Sequence, residues 1–591
     1  MKPTRRRELL LSLLFYTALF VAFNWPLAAH FGAAYPGHDG NDANIYVWNA
    51  YNFRQAVASG SNPFATTLLN YPRGLSLIMH AYTPVIGLLN VLLRDEILAV
   101  NLALALSYVL SGVGAYRLTR RWVSNPVLCL LAGLIFAFSP YKLARLPEHY
   151  NLLLTATVPF YLYAFLEAFD FTGGGFWPRV RRWRQVVWCA VLGVVTLLSD
   201  YYVLFGLIYF SLGFAAYYWL GLGRINWRRP RPWLVLVVGL VLCHIASRML
   251  KLGGVPDHGG FWWGGDLAGY LVPPPGSRWL SSPAANAVYN SAIFNMPGAV
   301  ENIVFLGYVL PLLTLAVLLG LRRYSPLGAD ARHGGQALPW LTLLFFMFTL
   351  PAVRVFGKEI WRLPTGLMHY IPFINNIRCP TRYVLFVSLL LPIVVFAALD
   401  PWLRGRGAGL RLAVSLLLLL LIGLEYQPKA TPLLYAADEP AAYQQAARLP
   451  GQTIVPIPFG LLDGSNEVGR FNGNDLFYQT RHHKKMPGGY ISRVPEAEFA
   501  AFTQDSVIRT LILLQEHPDT TLARPSAAAV RRFLCTYEPA AFIVAPAFRN
   551  TAVDRYLRQT MPAQGYDAQE VQGYGLLGRR GRLTAPAAGA Q

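Results

Sequence analysis

Residues 36–72 read PGHDGNDANIYVWNAYNFRQAVASGSNPFATTLLNYP, and the reading of the whole chain turns on them. They follow the first long apolar run. Asp39 and Asp42 stand three positions apart among Gly and Asn, with His38 beside the first. A helix-like aromatic run follows from Ile45 to Ala58, carrying Trp48, Tyr51 and Phe53. Acids just outside a membrane helix, followed by an aromatic segment suited to the headgroup layer, point to chemistry at a bilayer surface. The plainer alternative is a solvated loop with an Asx turn and an interfacial helix.

Composition sets the class. The chain has 591 residues, of which 54% are hydrophobic and 14% charged, and its mean hydropathy is +0.36. That is too apolar for a soluble multi-domain protein and fits a polytopic membrane protein. The formal charge of +21 lies in clusters such as Arg179–Arg184 and Arg228–Arg231, which flank apolar runs. Positive-inside topology and anionic lipid headgroups account for that placement, so membrane lipids are the expected partners and nucleic acid is not. The five cysteines are scattered, with no CxxC or Cys/His metal spacing, and read as small apolar residues. The basic head and apolar run at the N-terminus read as a retained first helix.

Runs long enough to span about 30 Å of hydrocarbon occur near 8–28, 96–116, 125–140, 152–169, 186–200, 201–220, 232–250, 301–321, 338–356, 381–400 and 408–425. Basic segments at 2–7, 117–122, 179–184, 224–231, 322–332 and 404–411 all reach the cytoplasm if these eleven span and the apolar segment 75–93 enters without crossing. The same parity puts loops 29–95, 141–151, 251–300 and 357–380 outside, together with everything after 425. The tail becomes polar there. Gln452–Pro458 and Ala540–Ala545 read as buried strands, and Asp438–Leu449 and Ser526–Leu534 as helices. The expected architecture is therefore an α-helical polytopic domain over 1–425. A small extracytoplasmic α/β domain at 426–583 and a disordered end at 584–591 follow it.

The acids of the first loop can do one of two jobs. Either Asp42 or Asp39 can act as general base toward an acceptor hydroxyl. Alternatively the pair, with Asn41 or Asn44, can hold a divalent cation such as Mg or Mn against a phosphate. In the turn 141–151, Glu148 and His149 lie on the same side as the first loop. His149 can donate to a phosphate or assist proton transfer, and Lys142 or Arg145 can neutralise a phosphate leaving group. The competing reading is an interfacial turn whose cations snorkel to headgroups. Asp200 either caps a helix or lies inside the bilayer and is functional there. Glu301 complements the N-terminal dipole of the next helix. Arg378 and Arg382, around Pro380, place guanidinium donors where a lipid phosphate would arrive. The basic stretch Arg481–Lys485 reads as a solvated loop.

Taken together, the chain resembles the GT-C class of integral-membrane glycosyltransferases, and within it a poorly characterised bacterial branch. The resemblance rests on Asp39-Gly40-Asn41-Asp42 in the first external loop, the aromatic segment after it and the number of spans. Further phrases carrying it are Gly60-Ser61-Asn62-Pro63-Phe64, Tyr71-Pro72-Arg73-Gly74, Phe136-Ala137-Phe138-Ser139-Pro140-Tyr141 and Arg378-Cys379-Pro380-Thr381-Arg382. It implies a polyprenyl-phosphate or -diphosphate sugar donor and a first-loop acid as base, Asp42 first and Asp39 second. Glu148-His149 is a partial match to the second acidic motif of the class. The implied setting is a bacterial inner membrane with the N-terminus cytoplasmic and the tail periplasmic. A transporter or flippase for a lipid-linked glycan and a non-catalytic membrane scaffold are the rival expectations. Transporters usually carry midplane charges and repeats, and no repeat is visible here.

Overall fold

The computed structural model describes residues 3–172, 177–226, 229–252, 263–330, 334–370, 377–517 and 524–581. The chain divides into two compact units. One holds Met1–Ala28, Leu104–Leu146 and Leu152–Thr431; the other holds Ala29–Ala103, Pro147–Asn151 and Pro432–Gln591. The tail after residue 431 thus shares its unit with all of the segment 29–95 and with part of the turn 141–151.

The first unit is helical. Among the described residues, five helices are long and apolar enough to cross a membrane: Glu96–Thr119, which begins in the other unit, Pro126–Arg145, Tyr201–Trp219, Pro380–Arg404 and Ala408–Tyr426. The chain is a multi-pass membrane protein. Pro380–Arg404 is mostly buried, whereas Ala408–Tyr426 leaves Leu412, Leu417 and Leu420 more than half exposed. Leucines on all sides of a helix need a non-aqueous surrounding, and lipid supplies it. Shorter apolar helices lie at Trp183–Leu197, Pro230–Ile245, Val309–Leu319 and Gly335–Thr349. Three of the expected runs are interrupted. The run at 152–169 folds as Tyr150–Leu153 and Thr157–Ala168. That at 301–321 folds as Ala299–Asn302 and Val309–Leu319, with Gly307 at φ +79° between them. The run at 338–356 stops as a helix at Thr349, because Leu350 precedes Pro351 and leaves the helical region, at φ −125° and ψ 65°; a hairpin of Ala352–Val355 and Lys358–Arg362 follows.

The second unit is built around the helix Ala43–Ser59. Its residues Ala43 to Phe53 are all buried, so it is a core helix and not the interfacial one expected from its aromatics. Those aromatics occur on every face, and Trp48, Ile45 and Phe53 share one apolar cluster with Val455, Phe542 and Leu577 of the tail. Trp48 is 0% exposed, and its indole N–H donates to Gln479 at 2.6 Å. The tail contributes a four-stranded sheet ordered Tyr566–Val571, Tyr574–Arg579, Pro539–Val544, Thr453–Ile457. The last two strands are parallel and fully buried, where the sequence placed them. Helices Ala441–Ala447 and Ala527–Tyr537 likewise match their expected positions. Leu433–Tyr435 pairs antiparallel with Ala34–Pro36.

The basic stretch 481–485 is not a solvated loop. Helix Asn474–His482 runs through its start, His482 is buried, and Lys484 donates from Nζ to the carbonyls of Leu449 and Gly451. The expected disordered end, 584–591, lies outside the described residues.

Candidate functional site

Asp42 occupies the N-cap position of Ala43–Ser59, yet its carboxylate makes no capping hydrogen bond. Its Oδ2 lies 3.8 Å from Nε2 of His149, and Nδ1 of His149 lies 3.9 Å from Oε2 of Glu148. One imidazole therefore sits between two carboxylates. The side chains of Asp42, His149 and Glu148 are 39%, 20% and 29% exposed, open to a solute.

The loop carrying Asp42 is fixed from three directions. Asn41 donates from Nδ2 to the carbonyl of Pro147 at 2.9 Å, tying the first loop to the segment that bears His149. Tyr46 donates to Asn151 at 2.5 Å, and Tyr150 donates to the carbonyl of Pro36. The third tie is Asn474. Its Oδ1 accepts from Gly40 N–H and from Asn44 Nδ2, both at 2.9 Å, and its Nδ2 donates to Asp39 at 2.6 Å. The approach is close enough that a Cβ on Gly473 would meet the Gly40 carbonyl at 2.6 Å. Gly40 itself has φ +73°, which favours glycine. Asp39 is thus an exposed carboxylate held in place by Asn474, while Asp42 faces His149.

The residues of this cluster were partly legible. Asp42, Glu148 and His149 come together, while Asp39 is held by Asn474. Asn474 was missed; the only signal for it is the polar run Asn472-Gly473-Asn474-Asp475, which resembles the first loop in composition. Asp475, next along, is buried, and burial lifts its carboxyl to about 7 although Tyr443 donates to it. As for the divalent cation considered for Asp39 and Asp42, no group of three His, Cys, Asp or Glu side chains among the described residues is arranged to hold a metal ion.

The other nominated residues belong to the helical unit. Lys142 and Arg145 lie on a short helix, Pro140–Arg145, and both are 0% exposed, so neither snorkels. Lys142 donates from Nζ to Thr155 Oγ1 at 2.9 Å and sits 4.4 Å from the Tyr108 ring centroid. Arg145 donates to Glu301 at 2.9 Å and stacks on Tyr141. Arg382 grips both oxygens of the same Glu301 and stacks over Tyr202. Glu301 therefore joins two arginines, in a four-residue helix rather than at the start of a span. The sequence reading had its neighbourhood wrong because both guanidinium partners are remote in the chain. Arg378 is half-buried; its backbone N–H donates to the Tyr202 hydroxyl at 3.1 Å. Residues 371–376 of the loop expected at 357–380 lie outside the described residues. Asp200 caps Tyr201–Trp219 by accepting from Val203 N–H at 2.9 Å.

No curated protein matches the chain. Among solved structures, it is similar to the Archaeoglobus fulgidus oligosaccharyltransferase tethered to an acceptor peptide with the NVT sequon. That match has 12% identity and a TM-score of 0.39, covering 97% of this chain and 74% of that one. The archaeal oligosaccharyltransferase AglB of the same organism, in complex with an inhibitory peptide and a dolichol-phosphate, matches at 11% identity and TM-score 0.39, over 99% and 76%. A mutant of the arabinofuranosyltransferase AftD from Mycobacteria matches at 16% identity and TM-score 0.43, over 96% of this chain and 39% of that one. Residues 10–423 match the family described as a domain of unknown function, DUF6311, and the chain belongs to that family.

Proposed function

We propose that this protein is a membrane glycosyltransferase that moves a sugar from a polyprenyl-phosphate-linked donor to a lipid, glycan or protein acceptor. In this reading the enzyme sits in a bacterial inner membrane, crosses it about eleven times, and works on the periplasmic face. The observation that carries it is the Asp42–His149 pair, a partly exposed carboxylate beside an imidazole, at the end of a helix buried in the unit's core.

The step is an inverting displacement. Asp42 takes the proton from the acceptor hydroxyl, and that oxygen forms a bond to the anomeric carbon. The carbon–oxygen bond to the donor phosphate breaks, and its electron pair leaves with the polyprenyl phosphate. His149 holds the Asp42 carboxylate in position and offers a route by which the proton leaves it. Asp39, tied to Asn474, shapes the loop.

The test is to incubate the purified full chain with labelled polyprenyl-phosphate sugars and candidate acceptors, and to follow release of polyprenyl phosphate. Acceptor-dependent release supports the proposal. Labelled donor that crosses reconstituted vesicles intact, without release, would instead assign the protein to lipid-linked glycan transport.

A further inference from the structure

A cavity of about 670 Å³ opens in the helical unit where the ends of several helices meet, within the 300–1,000 Å³ or so usual for small-ligand sites. Five arginines line it, Arg117, Arg120, Arg121, Arg182 and Arg404, against the three carboxylates Glu8, Glu167 and Asp330. The acids do not use up the guanidinium donors. Arg120 is satisfied, by Glu8 and by the carbonyls of Val123 and Ser124. Glu167 is shared between Arg121 and Arg182. Asp330 accepts from the Trp122 indole at 2.6 Å.

Arg404 lies 3.6 Å from Asp400, which leaves Arg117 and the unused edge of Arg121. Arg121 has a side chain only 9% exposed, and its Nε–H has no acceptor. Arg117 stacks on Tyr163 with its guanidinium carbon 4.5 Å from the ring centroid, and among the described residues no carboxylate pairs with it. Tyr163 also lies under Arg121, at 5.3 Å. Stacking of this kind holds both planar forks in fixed orientations, leaving their edges as donors.

We propose that this cavity binds a phosphate group, with Arg117 and Arg121 as its principal ligands. Fork-shaped guanidinium donors held on an aromatic face match tetrahedral phosphate oxygens, and a surplus of positive charge favours a dianion. The phosphate can come from an anionic lipid headgroup or from a soluble phosphate compound. The site is separate from the Asp42 cluster and does not depend on its role.

Two probes distinguish the sources, both applied to the detergent-solubilised full chain. Native mass spectrometry after addition of phosphatidylglycerol, with phosphatidylcholine as comparison, reads lipid binding; titration calorimetry with inorganic pyrophosphate reads soluble phosphate. Binding of either probe by the wild type, weakened about tenfold or more in Arg117→Gln and in Arg121→Gln, supports the site and names the source. Arg73→Gln, outside the cavity lining, should bind as the wild type does. Arg117 is exposed, so its variant keeps the test open if Arg121→Gln misfolds. Failure of both probes to bind, or binding unchanged in Arg117→Gln, overturns the proposal.

Discussion

Asp42 and His149 lie more than a hundred residues apart in the chain, yet their side chains approach to 3.8 Å. One position earlier the Asn41 side chain ties the loop to the segment that bears His149, donating from Nδ2 to the Pro147 carbonyl. Chemistry at Asp42 is therefore expected to respond to changes that touch no reacting atom.

Asn474→Ala is the first such change. It removes two acceptor bonds and one donor bond that hold Gly40, Asn44 and Asp39. These bonds are partly solvated, so the stability cost is expected at about 1–2 kcal/mol. Hydrogen exchange at the Gly40 and Ala43 amides should accelerate, and sugar transfer should fall with the helix content unchanged. Unchanged exchange at both amides would show that Asn474 does not order the loop.

Glu301→Gln should be far more damaging. Arg145 and Arg382 are both largely buried, and their shared carboxylate is about one-tenth exposed. Removing its charge leaves two guanidinium groups facing each other in a low-dielectric setting, a loss of about 3–5 kcal/mol. A triple variant, Arg145→Met with Glu301→Leu and Arg382→Met, removes all three charges and should recover most of that loss. Thermal unfolding in detergent compares the two. Equal melting of Glu301→Gln and the wild type would contradict the triad's role.

Stability of the second unit should peak near pH 6.5. Burial pushes the imidazoles of His80 and His482 down to about 3, below their ordinary value near 6.5. Both stay neutral when folded, so their contribution is full above pH 6.5 and is lost as pH falls toward 3. Burial has the opposite effect on Asp475, whose carboxyl rises to about 7; its contribution is full below about pH 4 and is lost as pH rises through 7. Between about pH 4 and 6.5 two histidines oppose one aspartate. Burial lowers His483 as well, so the unfolded chain binds more protons and stability rises with pH there. From 6.5 to 7 Asp475 acts alone and stability falls. Hydrogen exchange at Val455 and Phe542, across the buried parallel strands, measures this. Asp475→Asn should abolish the decline above pH 6.5 and steepen the rise below it.

What the sequence made legible follows from how local each signal is. The two buried strands of the tail and the acidic loop are short-range patterns and appear where the sequence put them, whereas the apolar runs at 152–169, 301–321 and 338–356 are interrupted. The helix Ala43–Ser59 was located correctly but given the wrong surroundings. Its aromatics suit a membrane interface and a protein core equally well, and the core around it comes largely from remote tail residues such as Val455, Phe542 and Leu577. Lys142 and Arg145 were expected at the surface because cations near a helix end usually snorkel. Their burial depends on Thr155 and on Glu301, partners that no spacing rule connects to them. Asn474 was missed for the same reason: its three bonds reach back more than four hundred residues.

The central claim is that the Asp42 carboxylate removes the acceptor's proton. The most direct test is the rate of polyprenyl-phosphate release by purified Asp42→Asn, alongside wild type of the same helix content and melting temperature. The account predicts a fall of about 10² to 10⁴ in rate, with donor binding retained. Release by Asp42→Asn at the wild-type rate would contradict it.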